Sequence, residues 1–330
     1  MNSLTLLTWA PSNIWLQALL LVVSIRVVLW GADWLTGGAV ALAERMGIPQ
    51  IVIGLTVVAM GTSMPEFFVS LTSAINGTPD LAVGNVVGSN IFNTLFIVGI
   101  AAMVAPITIL KGTVRKDTPF ALIASTLLLL MCLDREISRL DALVLSVLFI
   151  FFMTVTIRGS HNGQPSDDEQ APTAGQKPGK SPLRATLLMG IGLVALVLGS
   201  NVFVDNASAI AHSLGVSDAV IGLTIVAGGT SLPELATSVV AARQGNSGIA
   251  IGNVLGSNVF NILMILGLTG LISPMAIQGI TTTDLAVMVV SMMLLWLFSF
   301  TKYRVERWEG AVLVLVFAAY LTHLITAAIA

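Results

Sequence analysis

The sequence predicts an all-α membrane protein of ten transmembrane helices, arranged as two inverted five-helix repeats with helices broken at the repeated motifs. Three observations carry that prediction: a composition too apolar to face water, ten apolar windows of membrane-spanning length, and two motif blocks that recur at one offset. Of the 330 residues, 55% are hydrophobic and only 10% charged, and the mean hydropathy is +0.93. A soluble domain carries about 25% charged residues, so lipid is the solvent for most of this chain. A net charge of −2 offers no basic surface for nucleic acid. The single cysteine, Cys132, excludes an intrachain disulfide and a cysteine-based zinc site.

A spanning helix needs about 20 mainly apolar residues. The first half supplies windows at 13–44, 49–76, 81–105, 119–133 and 140–157, and the second at 184–213, 217–243, 248–272, 284–301 and 309–329. The lead from Met1 to Trp9 has neither Lys or Arg nor a small-residue cleavage pattern, so the first window is expected to be a retained helix. Gly31 and Gly199 interrupt the first window of each half, which predicts tilted or bent single helices. Between the halves, Gly159 to Leu183 holds four prolines, four glycines and five charges with no aromatic residue. Such a segment cannot pack a core, and it predicts a flexible linker. The chain therefore divides into a first repeat at 1–158, a linker at 159–183 and a second repeat at 184–330.

Orientation follows from the basic residues in the short loops. Twelve of the fifteen Lys and Arg residues fall in odd-numbered loops: Arg45 in the first, Lys111, Arg115 and Lys116 in the third, four around the linker, Arg243 in the seventh, and Lys302, Arg304 and Arg307 in the ninth. The even-numbered loops hold only Arg135 and Arg139, and Arg26 lies inside the first span. Both termini are expected outside and the linker in the cytoplasm, with the lipid bilayer as the chain's surroundings. No obligate protein partner is evident. Trp15 and Trp308 fall at span edges, where indole rings anchor at the interface. Arg26 is placed to pair with Asp33.

Self-comparison is the most informative step. Gly54–Glu66 reads GLTVVAMGTSMPE and Gly222–Glu234 reads GLTIVAGGTSLPE, identical at 10 of 13 positions with an offset of 168. Gly84–Asn93 (GNVVGSNIFN) and Gly252–Asn261 (GNVLGSNVFN) agree at 8 of 10 positions with the same offset of 168. Two blocks sharing an offset imply duplication, and an odd number of spans per half inverts the second copy across the membrane, as in many secondary transporters. Small residues in these blocks also suit close helix packing. Packing does not explain Glu66 and Glu234, which sit mid-span without a Lys, Arg or His in either motif, where an unpaired carboxylate costs several kcal/mol.

Pro65 and Pro233 each remove a backbone donor and obstruct the carbonyl four residues earlier, so breaks are expected around Ala59–Thr62 and Ala227–Thr230. Irregular backbone at membrane depth is tolerated only in a cavity or inside protein, and its carbonyls become available as ligands. Thr62 and Ser63 stand four and three residues before Glu66, and Ser89 and Ser257 stand four before Asn93 and Asn261, so each set shares a helix face. The donors collected are two carboxylates, hydroxyls, amides and carbonyls, with no thiolate or imidazole. All-oxygen coordination suits hard cations, calcium in particular.

These motifs resemble those of the calcium/cation antiporter superfamily, and in particular bacterial inner-membrane sodium/calcium antiporters. The resemblance covers both halves. It implies secondary active exchange of calcium for sodium by alternating access, with no cofactor and no enzymatic activity; the transported ions are calcium and sodium. By the resemblance, calcium ligands would be Thr62, Glu66, Thr230 and Glu234, and sodium sites would add Ser63, Ser231, Ser89, Ser257, Asn93, Asn261 and the carbonyls of Ala59 and Ala227. The first and sixth spans would slide across the remaining bundle. One departure is that Asn261 stands where several members carry an acid, which weighs against potassium co-transport. Asn85 and Asn253 stand where proton-coupled relatives have a more acidic pattern, which favours sodium over protons. A calcium/proton antiporter of the same fold is the alternative. A cation channel would show flux without a counter-gradient, and an intramembrane hydrolase would need a nucleophile with its base or a metal cluster, which the repeats lack.

Overall fold

In a computed structural model, Pro11 and residues 13–162, 182–215 and 227–329 are described. The apolar windows become helices with ends close to those expected. The first half comprises α1 (Ile14–Met46), α2 (Gln50–Thr62), α3 (Met64–Ile75), α4 (Pro79–Val104), α5 (Lys111–Arg115), α6 (Asp117–Met131) and α7 (Arg139–Asn162). The second comprises α8 (Pro182–Ser213), α9 (Ala227–Thr230), α10 (Leu232–Arg243), α11 (Ser247–Ile272), α12 (Thr282–Phe300) and α13 (Arg307–Ile329). Among the described residues, eight helices are long and apolar enough to cross a bilayer, and α2 with α3, bent by 47°, forms a ninth, broken span. The remaining expected span is α9 with α10; residues 217–226, its first part, lie outside the described residues. So do residues 163–181 of the expected linker, whose edges are shorter than predicted because α7 runs on to Asn162 and α8 starts at Pro182.

The inverted symmetry is legible in the loops as well as the helices. Strands β1 (Ile107–Thr108), β2 (Glu136–Ile137), β3 (Met275–Ala276) and β4 (Arg304–Val305) are related pairwise by the offset of 168, β1 to β3 and β2 to β4. Each pairs with the other copy: Ile107 lies opposite Val305, and Ile137 opposite Met275. Because the span of α6 separates β1 from β2, the two bridges sit at opposite membrane faces and tie the repeats together at both. Other contacts sort the loops the same way. Gln50 reaches Asn246 and Thr108 reaches Ser247 on the face of β1, whereas Asp80 accepts from the backbone of Gln278 and Gly279 on the face of β2. The loops rich in Lys and Arg therefore share one face.

At the centre stand α4 and α11, whose apolar windows are 72% and 94% buried, against 17–39% for the other unbroken spans. At the edge, α1 and α8 pack against each other as single uninterrupted helices. The glycines expected to interrupt them serve this crossing instead. A Cβ on Gly31 would lie 2.8 Å from the Gly192 carbonyl, and one on Gly199 would lie 2.9 Å from Val28 Cγ2 and 3.3 Å from the Val28 nitrogen; Gly192 joins them, its added Cβ 2.6 Å from the Leu35 nitrogen. The absence of side chains thus lets the two backbones touch.

One local expectation is corrected. Arg26 does not pair with Asp33 but lies over the Trp30 ring at 5.0 Å, while Asp33 accepts from Gln244 at 3.0 Å. Seven residues is two helical turns, too far apart for that pair to meet directly once nearer partners exist. Trp15 and Trp308 are exposed at helix ends, in keeping with interfacial anchors.

Candidate cation-binding site

The first break falls later than expected. Ala59–Thr62 is helical, and the chain breaks at Ser63, between α2 and α3; the second copy breaks at Ser231, between α9 and α10. The reason is that Pro65 and Pro233 occupy the first turn of the following helix, where a missing N–H costs nothing, so each proline starts a helix rather than breaking one from within. The Ala59 carbonyl is accordingly in use, accepting from Ser63 N at 3.0 Å, with a second lone pair left over. Glu66 and Glu234 lie in the first turns of α3 and α10. There the unpaired N–H groups and the positive end of the helix dipole favour a carboxylate.

Both carboxylates are 1% exposed, and each is held by the opposite repeat. Ser63 Oγ donates to Glu234 Oε1 at 3.0 Å, and Ser231 Oγ donates to Glu66 Oε1 at 2.9 Å. Thr62 and Ser257 also face Glu234, and Thr230 faces Glu66. Ser89 Oγ completes this group 3.2 Å from Ser231 Oγ. The second oxygens, Glu66 Oε2 and Glu234 Oε2, have no protein partner, and neither does Ser257 Oγ.

The helices α4 and α11 join through amides. Asn93 Nδ2 donates to Asn258 Oδ1 at 3.1 Å, Asn261 Nδ2 to Asn90 Oδ1 at 3.3 Å, and Asn258 Nδ2 to Thr94 Oγ1 at 2.8 Å. These bonds use donors and leave Asn93 Oδ1 and Asn261 Oδ1 buried without partners. Asn93 and Asn261 sit in π-helical turns, Phe92–Ile97 and Phe260–Ile265, a wider winding often found at functional sites. Sequence reasoning singled out the second asparagine of each GSNxFN block and passed over Asn90 and Asn258. The repeat contained the signal, since both lie inside the duplicated block.

Thr62, Ser63, Ser89, Thr230, Ser231 and Ser257 thus gather with the two glutamates, Asn93 and Asn261 lie on the seam of α4 and α11, and Ala59 and Ala227 each open the last turn before a break. Among the described residues no group of three or more His, Cys, Asp and Glu side chains gathers anywhere. The arrangement offers two carboxylate oxygens, two amide oxygens and a hydroxyl as unpartnered acceptors, an oxygen set without soft ligands. Buried acceptors without donors are costly unless a cation meets them.

A family profile described as sodium/calcium exchanger protein matches residues 16–158 and 184–326. The chain belongs to the sodium/calcium exchanger family. Its relatives include inner membrane protein YrbG of Escherichia coli strain K12, 38% identical over 83% of this chain and 86% of the other, and sodium/calcium exchanger MaX1 of Methanosarcina acetivorans, 32% identical over 92% and 97%. A solved structure of the sodium-calcium exchanger NCX_Mj, from a crystal soaked with zero Na+ and Ca2+, superposes with a TM-score of 0.82 at 30% identity, covering 94% of this chain and 100% of that one. This family member is a multi-pass membrane protein with the ten-helix, inverted-repeat fold of the exchangers.

Proposed function

We propose that this protein is a sodium/calcium antiporter of the cell's inner membrane, with Glu66 and Glu234 as the carboxylates for which the two cations compete. One observation carries the reading: two glutamates from inverted copies are buried in the first turns after the breaks, each held through one oxygen by the other copy's serine and leaving one oxygen unpartnered. Two negative charges balance one calcium ion. Thr62, Thr230 and the glutamates supply the calcium ligands, and Ser63, Ser231, Ser89, Ser257, Asn93, Asn261 and the carbonyls of Ala59 and Ala227 complete the sodium sites.

Exchange follows from the cost of an empty site. Two unpaired carboxylates in a low-dielectric interior are strongly unfavourable, so the unloaded protein does not change access and each ion leaves only when replaced. Calcium neutralises the pair, whereas three sodium ions leave one positive charge; net charge then moves, and the membrane potential contributes about 2.3 kcal/mol per charge per 100 mV. The physiological direction is calcium efflux on the inward sodium gradient. The face carrying most Lys and Arg is cytoplasmic, with both termini outside.

Reconstituted vesicles loaded with sodium and diluted into labelled calcium test the reading against vesicles loaded with potassium and vesicles carrying a proton gradient. Uptake in the sodium-loaded vesicles alone is expected. Uptake driven by the proton gradient alone identifies the calcium/proton alternative, and flux without any counter-gradient identifies a channel.

A further inference from the structure

Asn253 is 0% exposed, and its amide is fully used. Its Nδ2 donates to Ser238 Oγ at 2.9 Å and to the Glu234 carbonyl at 3.3 Å, while its Oδ1 accepts from Thr62 Oγ1 at 3.0 Å. Asn85, its counterpart at the offset of 168, donates to Ser70 Oγ at 2.9 Å and to the Glu66 carbonyl at 3.1 Å. Each asparagine therefore fixes the first turn of the helix bearing a glutamate, and Asn253 in addition reaches the other repeat.

The hydroxyl of Thr62 has one proton; Asn253 Oδ1 at 3.0 Å, the Val58 carbonyl at 3.2 Å and the Ala59 carbonyl at 3.3 Å are within hydrogen-bonding distance, and the Glu234 carboxylate faces it as well. Given to Asn253, the proton leaves the second lone pair of the Ala59 oxygen, beside the Ser63 N–H bond, and the Thr62 lone pairs open. Given to Ala59, it occupies an oxygen proposed above as a sodium ligand, as threonine does when it bonds back onto its own helix. We propose that Asn253 is a positioning residue for cation binding, which holds the Thr62 proton away from the site and ties that threonine to the turn of Glu234; Asn85 anchors the turn of Glu66 in the same manner. This rests on the antiporter reading above and assigns neither asparagine as a ligand.

The test is a double-mutant cycle read by calcium titration of the purified full-length protein and by sodium-driven uptake in vesicles. Asn253→Ala and Thr62→Val each raise the half-saturating calcium concentration, by about tenfold as for other partners that orient a metal ligand. The double variant is no weaker than Thr62→Val alone, and Asn253→Ala keeps its effect in a Thr62→Ser background, which retains the hydroxyl. Ser238→Ala, which removes one of the two acceptors of the Asn253 Nδ2 and leaves the bond from Thr62 in place, lowers the melting temperature and leaves half-saturation within about twofold. Asn253→Ser, too short to reach Thr62, replaces the alanine variant if that one does not fold. Fold-changes that multiply in the double variant, or a Ser238→Ala effect equal to that of Asn253→Ala, overturn the proposal and leave Asn253 a packing residue. Wild-type protein that neither binds nor exchanges calcium overturns the antiporter reading as well, so the two failures are told apart.

Discussion

Ser63 donates to Glu234 across the repeat boundary at 3.0 Å, and the inverted copy returns the bond from Ser231 to Glu66 at 2.9 Å. The break in one span therefore positions the carboxylate of the other. Each glutamate takes its serine donor at Oε1 from the other half, so this pair of bonds exists only when both repeats are docked.

The carboxylates come first among the tests. Glu66→Gln and Glu234→Gln each keep the shape and remove one charge, leaving a site that cannot neutralise calcium. Sodium-driven calcium uptake is expected to vanish in both, with wild-type elution in size-exclusion chromatography. Near-normal exchange by either variant refutes the assignment.

Removing a serine leaves a buried carboxylate oxygen without its donor, at a cost of about 1–3 kcal/mol. Ser63→Ala is expected to weaken calcium binding and lower the melting temperature, and Ser231→Ala to do the same through Glu66. Calorimetric titration beside thermal unfolding checks this; two unaffected calcium affinities mean that the hydroxyls are incidental.

Asn261 Oδ1 is buried without a partner, so a carboxylate there joins the pocket. Asn261→Asp is expected to alter the dependence of calcium flux on sodium, potassium and pH, because a third negative charge changes the cation load that balances the site. An unchanged profile for all three ions places residue 261 outside the pocket.

The crossing of α1 and α8 makes a prediction about stability. Gly192→Val puts a branched side chain where even a Cβ would lie 2.7 Å from the Gly31 carbonyl. Overpacking of this kind costs about 1–3 kcal/mol. Thermal unfolding in detergent is expected at lower temperature than for wild type, and Gly190→Ala, with nothing within 4 Å of its added carbon, serves as the neutral control.

The sequence by itself determined the class of protein, the number and placement of spans, the duplication and the chemistry of the donors. Hydropathy needs only composition along the chain, and a motif repeated at an offset of 168 declares an inverted copy once the spans per half are odd. Local chemistry was legible less fully. The break was expected at Ala59–Thr62 and falls at Ser63, because a proline tolerated in a first turn reads the same, in sequence, as a proline that interrupts a helix. Only the tertiary structure decided which oxygens are committed and which remain open. Ser231 and Glu66 are 165 residues apart, and Asn253 and Thr62 are 191 apart. The sequence shows that both residues of each pair exist, but hydrogen bonds are made over about 3 Å, and only the docking of two inverted halves brings those groups within that range.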